Sequence, residues 1–116
     1  MTLKLISDAI ASDRIFQGAI SDVNAGLKVR LSVSKSVIPY LAATVAENRP
    51  VVLIAATERA AQDLANSLQD FVPEENIAVF PAWETLPHER LSPSSDTVGR
   101  RMAVLRRLAH PQEVGP

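Results

Sequence analysis

The sequence predicts an α/β fold in which a small parallel sheet is covered by helices. Three short apolar runs are each followed by a segment with helical spacing, which is the order of elements in such a sheet. The run VVLIAA at Val51–Ala56 is rich in β-branched residues, as expected for a central strand buried on both faces. The run LKVRLSV at Leu27–Val33 alternates apolar and polar residues, which also favours a strand.

The first elements follow from capping and turn residues. Thr2 is expected to cap a short helix that ends near residues 12–13. The stretch GAISDVNAG at Gly18–Gly26 has the composition of a loop. After the first strand, a helix is expected to start at about Val37, with Ser36 as its cap. Pro39 then falls in the first turn, where proline is tolerated.

The later elements repeat the strand–helix order. Thr57 is expected to cap a helix that Pro73 stops, and NIAVF at Asn76–Phe80 forms the third strand. The buried stripe of that helix comprises Ala60, Leu64, Leu68 and Phe71.

Ser95 or Asp96 is expected to cap the last helix. Its apolar face is formed by Val98, Met102, Leu105 and Ala109. Arg100 and Arg107 fall on the opposite face, and Arg101 and Arg106 flank the apolar one. The chain divides into an N-terminal helix and loop at 1–25, an α/β module at 26–110 and a tail at 111–116.

Composition excludes several classes of protein. The chain has 116 residues, 47% of them apolar and 22% charged, with a net charge of -1. These values fit one globular domain and give no global electrostatic case for nucleic acid. The absence of cysteine excludes disulfides and thiolate metal sites, and it suits a reducing cytoplasm. No apolar run reaches the length of a membrane span.

The first strand–helix junction is a place for a phosphate site, but its residues fit poorly. The segment VRLSVSKS at Val29–Ser36 aligns with the pattern G-x-x-x-x-G-K-[ST], and its Lys35–Ser36 pair matches. Val29 and Ser34 replace the two glycines whose backbone would wrap the phosphates. We therefore expect a strand-to-helix turn with an exposed lysine, and Lys35 and Ser36 as at most a remnant of a nucleotide site.

The segment Phe80–Arg101 holds the other candidates. His88 begins a zinc-like pattern that no second histidine completes, so we expect no metal site. Glu84, Glu89 and Asp96 are either paired carboxylates or, more simply, a solvated surface with Asp96 as a cap. Trp83 is either a core residue or a docking anchor.

The arginines of the last helix have two possible roles. Arg100, Arg101, Arg106 and Arg107 either contact phosphates of DNA or form a solvated face whose flanking stems cover apolar surface. Acidic residues nearby and the lack of interleaved aromatic residues favour the solvated face.

The stretch PAWETLPHERLSPSSDTVGRRMAVLRRL resembles the N-terminal signature of the bacterial transcription-repair coupling factor (Mfd) family. The preceding VVLIAATERAAQDLANSLQDF fits as well, so the resemblance covers about Gly26 to His110. Such proteins are ATP-driven DNA translocases that displace stalled RNA polymerase and recruit UvrA. Their N-terminus is similar to UvrB and contains a RecA-like α/β part whose nucleotide site is degenerate, so the resemblance implies a RecA-like half domain here.

The resemblance implies a non-catalytic structural and interaction module. ATP and Mg²⁺ would be bound by motor domains outside this chain, and UvrA, RNA polymerase and DNA would be partners of the whole protein. This chain alone is expected to have no ATPase activity. The expected interdomain or docking surface comprises Trp83, His88, Arg90, Asp96, Arg100, Arg101 and Arg107. The alternatives are a nucleotide-binding half of a helicase-like ATPase and a DNA-contacting module.

Overall fold

The computed structural model describes residues 2–112, and the side chains of residues 2–4 and 7 are outside that description. Most of the predicted tail at 111–116, and the capping role predicted for the Thr2 side chain, therefore lie outside the described part. The α-helices are α1 (Thr2–Ala11), α2 (Arg14–Asn24), α3 (Ile38–Ala46), α4 (Glu58–Leu68) and α5 (Ser95–Ala109). Short 3₁₀ turns span Lys35–Val37 and Glu74–Asn76.

The predicted α/β fold is wrong, because residues 2–112 contain no strand and the chain is helical. The three predicted strands are irregular segments, and no backbone hydrogen bond joins one to another within this range. A strand exists only when a second segment completes its hydrogen-bond ladder, and an apolar pattern does not supply that partner. Val52 and Ile54 are 80% and 94% exposed, so the run at Val51–Ala56 is not a buried central strand.

The segment predicted as a loop at Gly18–Gly26 is mostly the helix α2. Asp13 caps it, since one carboxylate oxygen accepts hydrogen bonds from the backbone N–H groups of Ile15 at 2.9 Å and Phe16 at 3.0 Å. The stabilisation of α2 by this cap and by the contact of Phe16 with Tyr40 outweighs the lower helix propensity of Gly18. The two glycines of this segment therefore have different roles, one within the helix and one after its end.

Gly26 ends α2 in the left-handed conformation, with φ of 80°. Its N–H donates to the carbonyl of Val23 at 3.0 Å, and the N–H of Leu27 donates to the carbonyl of Asp22 at 3.0 Å. This pair of hydrogen bonds is the Schellman arrangement, which satisfies carbonyls at a helix C-terminus and favours glycine. The turn fixes the direction in which the chain leaves α2.

The core lies where α2, α3 and α4 meet. Each of the first three helices contacts the next along the chain, and the buried alanines Ala19, Ala42 and Ala65 belong to α2, α3 and α4. An aromatic row extends this contact. The Tyr40 ring lies 5.4 Å from Phe16 and 5.9 Å from Phe71 between centroids, the second pair edge-on. The core is therefore built from small residues and three rings.

Several helix predictions are confirmed at residue level. Thr57 caps α4, with its hydroxyl accepting from the N–H of Ala60 at 3.1 Å. Pro39 lies in the first turn of α3, as predicted. Ser36 does not cap that helix, because its hydroxyl pairs with Ser34 at 3.0 Å instead. Helix α4 ends at Leu68, before Pro73 is reached.

The packed helices do not make the whole chain compact. Its radius of gyration is 16.6 Å, whereas a compact domain of similar length has about 13 Å. The extra extent agrees with the exposed irregular segments between the helices. Much apolar surface therefore remains in contact with solvent.

The same substitution, glycine to alanine, is expected to change stability in opposite directions at the glycine within α2 and at the glycine of the turn that follows it. We expect Gly26→Ala to lower the free energy of unfolding by about 1 kcal/mol, because alanine resists positive φ. We expect Gly18→Ala to raise it by about 1 kcal/mol, since this position is helical and has open space for a Cβ. Urea unfolding followed by circular dichroism measures both, and equal effects of the two variants would contradict the assignment.

Candidate docking site

Helix α5 is held against the irregular segment 75–83 by two of its arginines. Arg101 Nη1 donates to the carbonyl oxygen of Pro81 at 2.5 Å. Arg107 donates through Nη1 to the carbonyl of Ile77 at 3.4 Å and through Nη2 to the carbonyl of Glu75. These carbonyls lack a sheet partner, and charged donors satisfy them instead. The segment therefore runs along α5 without forming a strand.

The guanidinium of Arg101 also stacks between two aromatic rings. Its central carbon lies 3.9 Å from the centroid of Phe80 and 4.1 Å from that of Trp83. Both distances fit cation–π contacts. Pro81, which lies between Phe80 and Trp83 in the sequence, is fully buried. Trp83 remains 46% exposed. Trp83 is therefore half-covered by Arg101 and keeps an exposed surface of its own.

Glu84 fastens the start of α5 to the same segment. Ser94 is the N-cap, and its hydroxyl accepts from the N–H of Thr97 at 3.2 Å. Glu84 accepts from the Ser94 N–H at 3.2 Å, from the Ser94 hydroxyl at 2.8 Å and from the Thr97 hydroxyl. In a capping box, a glutamate at the third helical position accepts a hydrogen bond from the backbone N–H of the N-cap residue. Glu84 makes the same hydrogen bond from outside the helix. The predicted caps Ser95 and Asp96 are instead the first two helical residues.

These hydrogen bonds favour the ionised carboxylate. The Thr97 hydroxyl, followed by the hydroxyl and N–H of Ser94, holds the pKa of Glu84 below its ordinary value of about 4.5. A negative charge at this point also suits the positive end of the helix dipole. Glu84 is therefore a capping group, and the predicted alternative of a carboxylate pair with Glu89 or Asp96 has no contact in its favour. Glu89 caps a separate turn by accepting from the N–H of Leu86 at 3.0 Å.

One face of α5 is apolar and open to solvent. Its members recur at spacings of four, three and four residues, and they are Val98, Met102, Leu105 and Ala109, here called the α5 stripe. Val98, Met102 and Leu105 are 39%, 58% and 46% exposed. The sequence predicts this apolar face correctly, and in the described chain it is only partly covered. Thr97, Arg101 and Arg107, on the neighbouring face, make the packing contacts instead.

A second apolar surface is the segment 51–56 between α3 and α4. Val52, Leu53 and Ile54 are all exposed, and the segment contains no charged residue. Contiguous exposed apolar surface of this kind marks interaction sites in proteins. The candidate docking surface therefore comprises two separate patches, the α5 stripe and segment 51–56.

An open groove of about 360 Å³ lies beside α5, with segment 77–79 as its floor. Ala65 and Gln62 line one wall, and Arg100 and Ala103 line the other. Within residues 2–112, no buried side-chain nitrogen or oxygen lacks a hydrogen-bond partner. The groove therefore shows no buried polar group aimed at a ligand.

The remaining predicted site residues are dispersed. Lys35 and Ser36 are exposed in the 3₁₀ turn before α3, and Ser34 has φ of -63° and ψ of 145°. Apart from Gly26, no described residue has positive φ, so this turn lacks the alternating conformations of a phosphate-binding nest. The exposed residues that join no common cluster are His88, Arg90, Asp96 and Arg100.

The structure brings together only part of the predicted set. Trp83 and Arg101 meet, and Arg107 holds the same segment further along the helix. Sequence reasoning missed Phe80, Pro81 and Glu84 as partners. The spacing of aromatic residues on either side of a proline was the only signal for the first two, and no local pattern marks Glu84, which acts ten residues from its cap.

The described residues contain neither a metal-binding cluster nor a membrane-spanning helix. No group of three or more His, Cys, Asp or Glu side chains there is arranged to hold a metal ion. None of the helices in that range is long and apolar enough to cross a membrane.

Comparison with known proteins identifies relatives of one kind. No protein-family model matches the chain. Proteins named transcription-repair-coupling factor from Mycobacterium bovis and Mycobacterium tuberculosis are each 50% identical to it over 78 residues, which is 66% of this chain and 6% of theirs. One from Rickettsia bellii is 33% identical over 57 residues, 49% of this chain and 5% of its own. The resemblance predicted from the sequence is confirmed, and the match spans about a twentieth of each relative's length.

The stacked arginine predicts a selective loss of stability. We expect Arg101→Ala to lower the free energy of unfolding by about 2 kcal/mol, because two cation–π contacts and one hydrogen bond are lost. Arg101→Lys should recover only part of this, since an ammonium group cannot stack as a plane between two rings. Urea unfolding followed by emission of Trp83, the only tryptophan, measures both variants.

Arg100→Ala is the matched control on the same helix. Arg100 is exposed, so we expect a change within about 0.5 kcal/mol. An Arg100→Ala effect as large as that of Arg101→Ala would show that helix charge, rather than the stack, carries the stability.

The Glu84 cap predicts acid sensitivity. Because the pKa of Glu84 is lower in the folded chain than in the unfolded one, its stabilisation is present above the ordinary value of about 4.5 and is lost as pH falls through the folded pKa. We expect Glu84→Gln to be less stable than the parent at neutral pH, with the difference shrinking in acid. Urea midpoints across this pH range measure the effect, with Glu89→Gln as a control, and a constant difference would contradict the cap.

Proposed function

We propose that this chain, which is related to the transcription-repair-coupling factors, is a non-catalytic structural and interaction module of a larger protein of that kind. The observation that carries the proposal is the exposed, uncharged segment 51–56, where Ile54 is almost wholly in solvent. Apolar residues in a folded protein are stabilised by burial. The segment therefore suits contact with other domains of the same polypeptide.

The proposal extends to the whole protein through its relatives. A coupling factor would act in DNA repair in the cytoplasm, with RNA polymerase, UvrA and DNA as its partners and with ATP and Mg²⁺ bound by motor domains elsewhere. This module would hold neighbouring domains in position and take no part in the chemistry. The capped and arginine-fastened helix α5 supports such a role, because it offers a rigid face rather than a reactive group.

Nucleotide binding through Lys35 and Ser36 is the less favoured alternative. The turn at these residues has ordinary backbone angles, and its hydroxyls bond to each other at 3.0 Å. A phosphate site needs several backbone N–H groups aimed at one point, which glycines make possible. Val29 and Ser34 stand at those glycine positions.

DNA contact through α5 is also less favoured. Two of its four arginines, Arg101 and Arg107, donate to backbone carbonyls of the same chain. A phosphate would have to compete with those bonds. The helix therefore presents a weaker basic surface than its sequence predicts.

The nucleotide alternative predicts a clear titration. We expect no saturable heat and no change in Trp83 emission when Mg²⁺–ATP is added to the chain up to millimolar concentration. Saturable binding that disappears in Lys35→Ala would overturn the module proposal in favour of half of an ATP site.

The docking surface predicts association in trans. We expect the chain to bind the Mycobacterium tuberculosis relative from which the matching segment has been deleted, measured by pull-down and calorimetry. Ile54→Ser should weaken binding about tenfold, because it removes most of one apolar side chain from the contact. Ile15→Ser is the matched control, since Ile15 is 79% exposed on α2 and belongs to neither patch of the docking surface. Equal losses in the two variants would contradict the assigned surface.

A further inference from the structure

We propose that the loop between segment 75–83 and α5 opens together with the first turn of α5, because the Glu84 carboxylate closes both. This loop comprises residues 84–94 and is here called the Glu84 loop. Glu84 lies at one end of it, and Ser94, the N-cap of α5, lies at the other. Such coupled opening is a property of this chain alone and goes beyond the proposed docking function.

The hydrogen bonds that close the Glu84 loop lie at its two ends. Glu84 accepts from the Ser94 backbone N–H at 3.2 Å and from the Ser94 hydroxyl at 2.8 Å, so one side chain joins residues ten positions apart. Within the described chain, the hydrogen bonds of residues 85–93 connect only Leu86 and Glu89, which form a tight turn. Compact surface loops of this length with adjacent ends are Ω-loops. The closed form of this loop therefore depends on Glu84.

The same residues hold the first turn of α5. The Ser94 hydroxyl accepts from the Thr97 N–H at 3.2 Å, and the Ser94 carbonyl accepts from the Val98 N–H at 3.1 Å. The Thr97 hydroxyl donates to Glu84. Ser94 is therefore both the last residue of the loop and the residue at which the helix begins.

Burial of Thr97 links the two openings. Among the described residues, Thr97 is the one buried polar side chain, at 7% exposure. If Glu84 withdrew while the turn stayed in place, the Thr97 hydroxyl would keep only the neutral Ser94 hydroxyl, 3.0 Å away, which is a weaker partner than a carboxylate. A buried hydroxyl that loses its acceptor raises the free energy, and unwinding of the turn exposes it to water. Withdrawal of Glu84 therefore favours unwinding of the turn.

The coupling reaches the α5 stripe. Val98 is the first residue of that stripe, and its N–H belongs to the turn that unwinds. Leu86 and Leu91 in the Glu84 loop are 56% and 71% exposed, so a partner can reach them. A molecule that binds the open loop more tightly than the closed one also loosens the N-terminal end of the stripe. The Glu84 loop is therefore a point at which binding regulates the surface of α5.

The test measures both regions in Glu84→Ala. Tryptic cleavage after the exposed Arg90, resolved by mass spectrometry, reports opening of the loop, and amide hydrogen exchange of Thr97 and Val98 reports opening of the first turn. We expect both rates to rise about fivefold, a modest change because Glu84 is exposed to solvent. Exchange within α4 should stay unchanged. Acceleration of only one of the two rates, or of neither, would overturn the proposal.

Two control variants separate the ends of the loop from their surroundings. Glu89→Ala removes the hydrogen bond to Leu86 inside the loop, so it should speed cleavage of the loop and leave exchange in the first turn unchanged. Ser95→Ala changes an exposed residue of the first turn and should leave both rates within about twofold. If Glu89→Ala loosened the first turn as much as Glu84→Ala does, the role assigned to Glu84 would be refuted.

The coupling should also run from the helix to the loop. Thr97→Val keeps a similar buried shape and removes the hydroxyl, so we expect it to speed cleavage after Arg90, although Thr97 lies outside the loop. Unchanged cleavage in this variant would contradict the coupling. Circular dichroism checks that the variants keep their helices. If Glu84→Ala does not fold, Glu84→Gln, which retains an acceptor oxygen, should give the same paired changes at smaller size, and a change in one region alone would overturn the proposal.

Discussion

The structure around α5 depends on arginine side chains that satisfy a segment of backbone without a sheet partner. Residues 75–83 run along the helix, and their carbonyls at Glu75, Ile77 and Pro81 accept from Arg107 and Arg101. Charged donors make stronger hydrogen bonds than neutral ones, so two long side chains can do what several ladder bonds would do. The stacking of Arg101 on Phe80 and Trp83 depends on this arrangement, because both rings belong to the segment beside the helix. The cap by Glu84 depends on it as well, because Glu84 directly follows that segment.

Except for α2, part of which was predicted as a loop, the helices were predictable because their signals are local. Caps at Thr57 and the proline in the first turn of α3 lie within a few residues of the backbone groups they affect. The predicted sheet was wrong because an apolar run such as Val51–Ala56 reports only a tendency toward burial, and the partner that would pair with it is set by distant parts of the chain. Glu84 shows the same limit at the site, since nothing near it in sequence marks it as a cap for Ser94.

The division of the arginines changes how the last helix is understood. By sequence alone, the four arginines of α5 form a basic cluster, and they differ only in the face of the helix on which each one lies. In the structure, Arg101 and Arg107 make contacts within the chain, and the α5 stripe is partly exposed to solvent. Two intramolecular contacts thus leave the helix with less basic surface than its sequence predicts.

The exposed segment 51–56 has a cost for the chain when it is alone. Its six residues are uncharged, and three of the first four are β-branched, which is the kind of sequence that starts aggregation when its backbone is accessible. The residues on either side oppose this, since Arg49 and Pro50 precede the run and Glu58 follows it shortly after. Charges and proline at the ends of such runs act as gatekeepers against stacking of identical chains. The same six residues that suit the chain to a neighbouring domain would therefore limit its solubility before that neighbour is present.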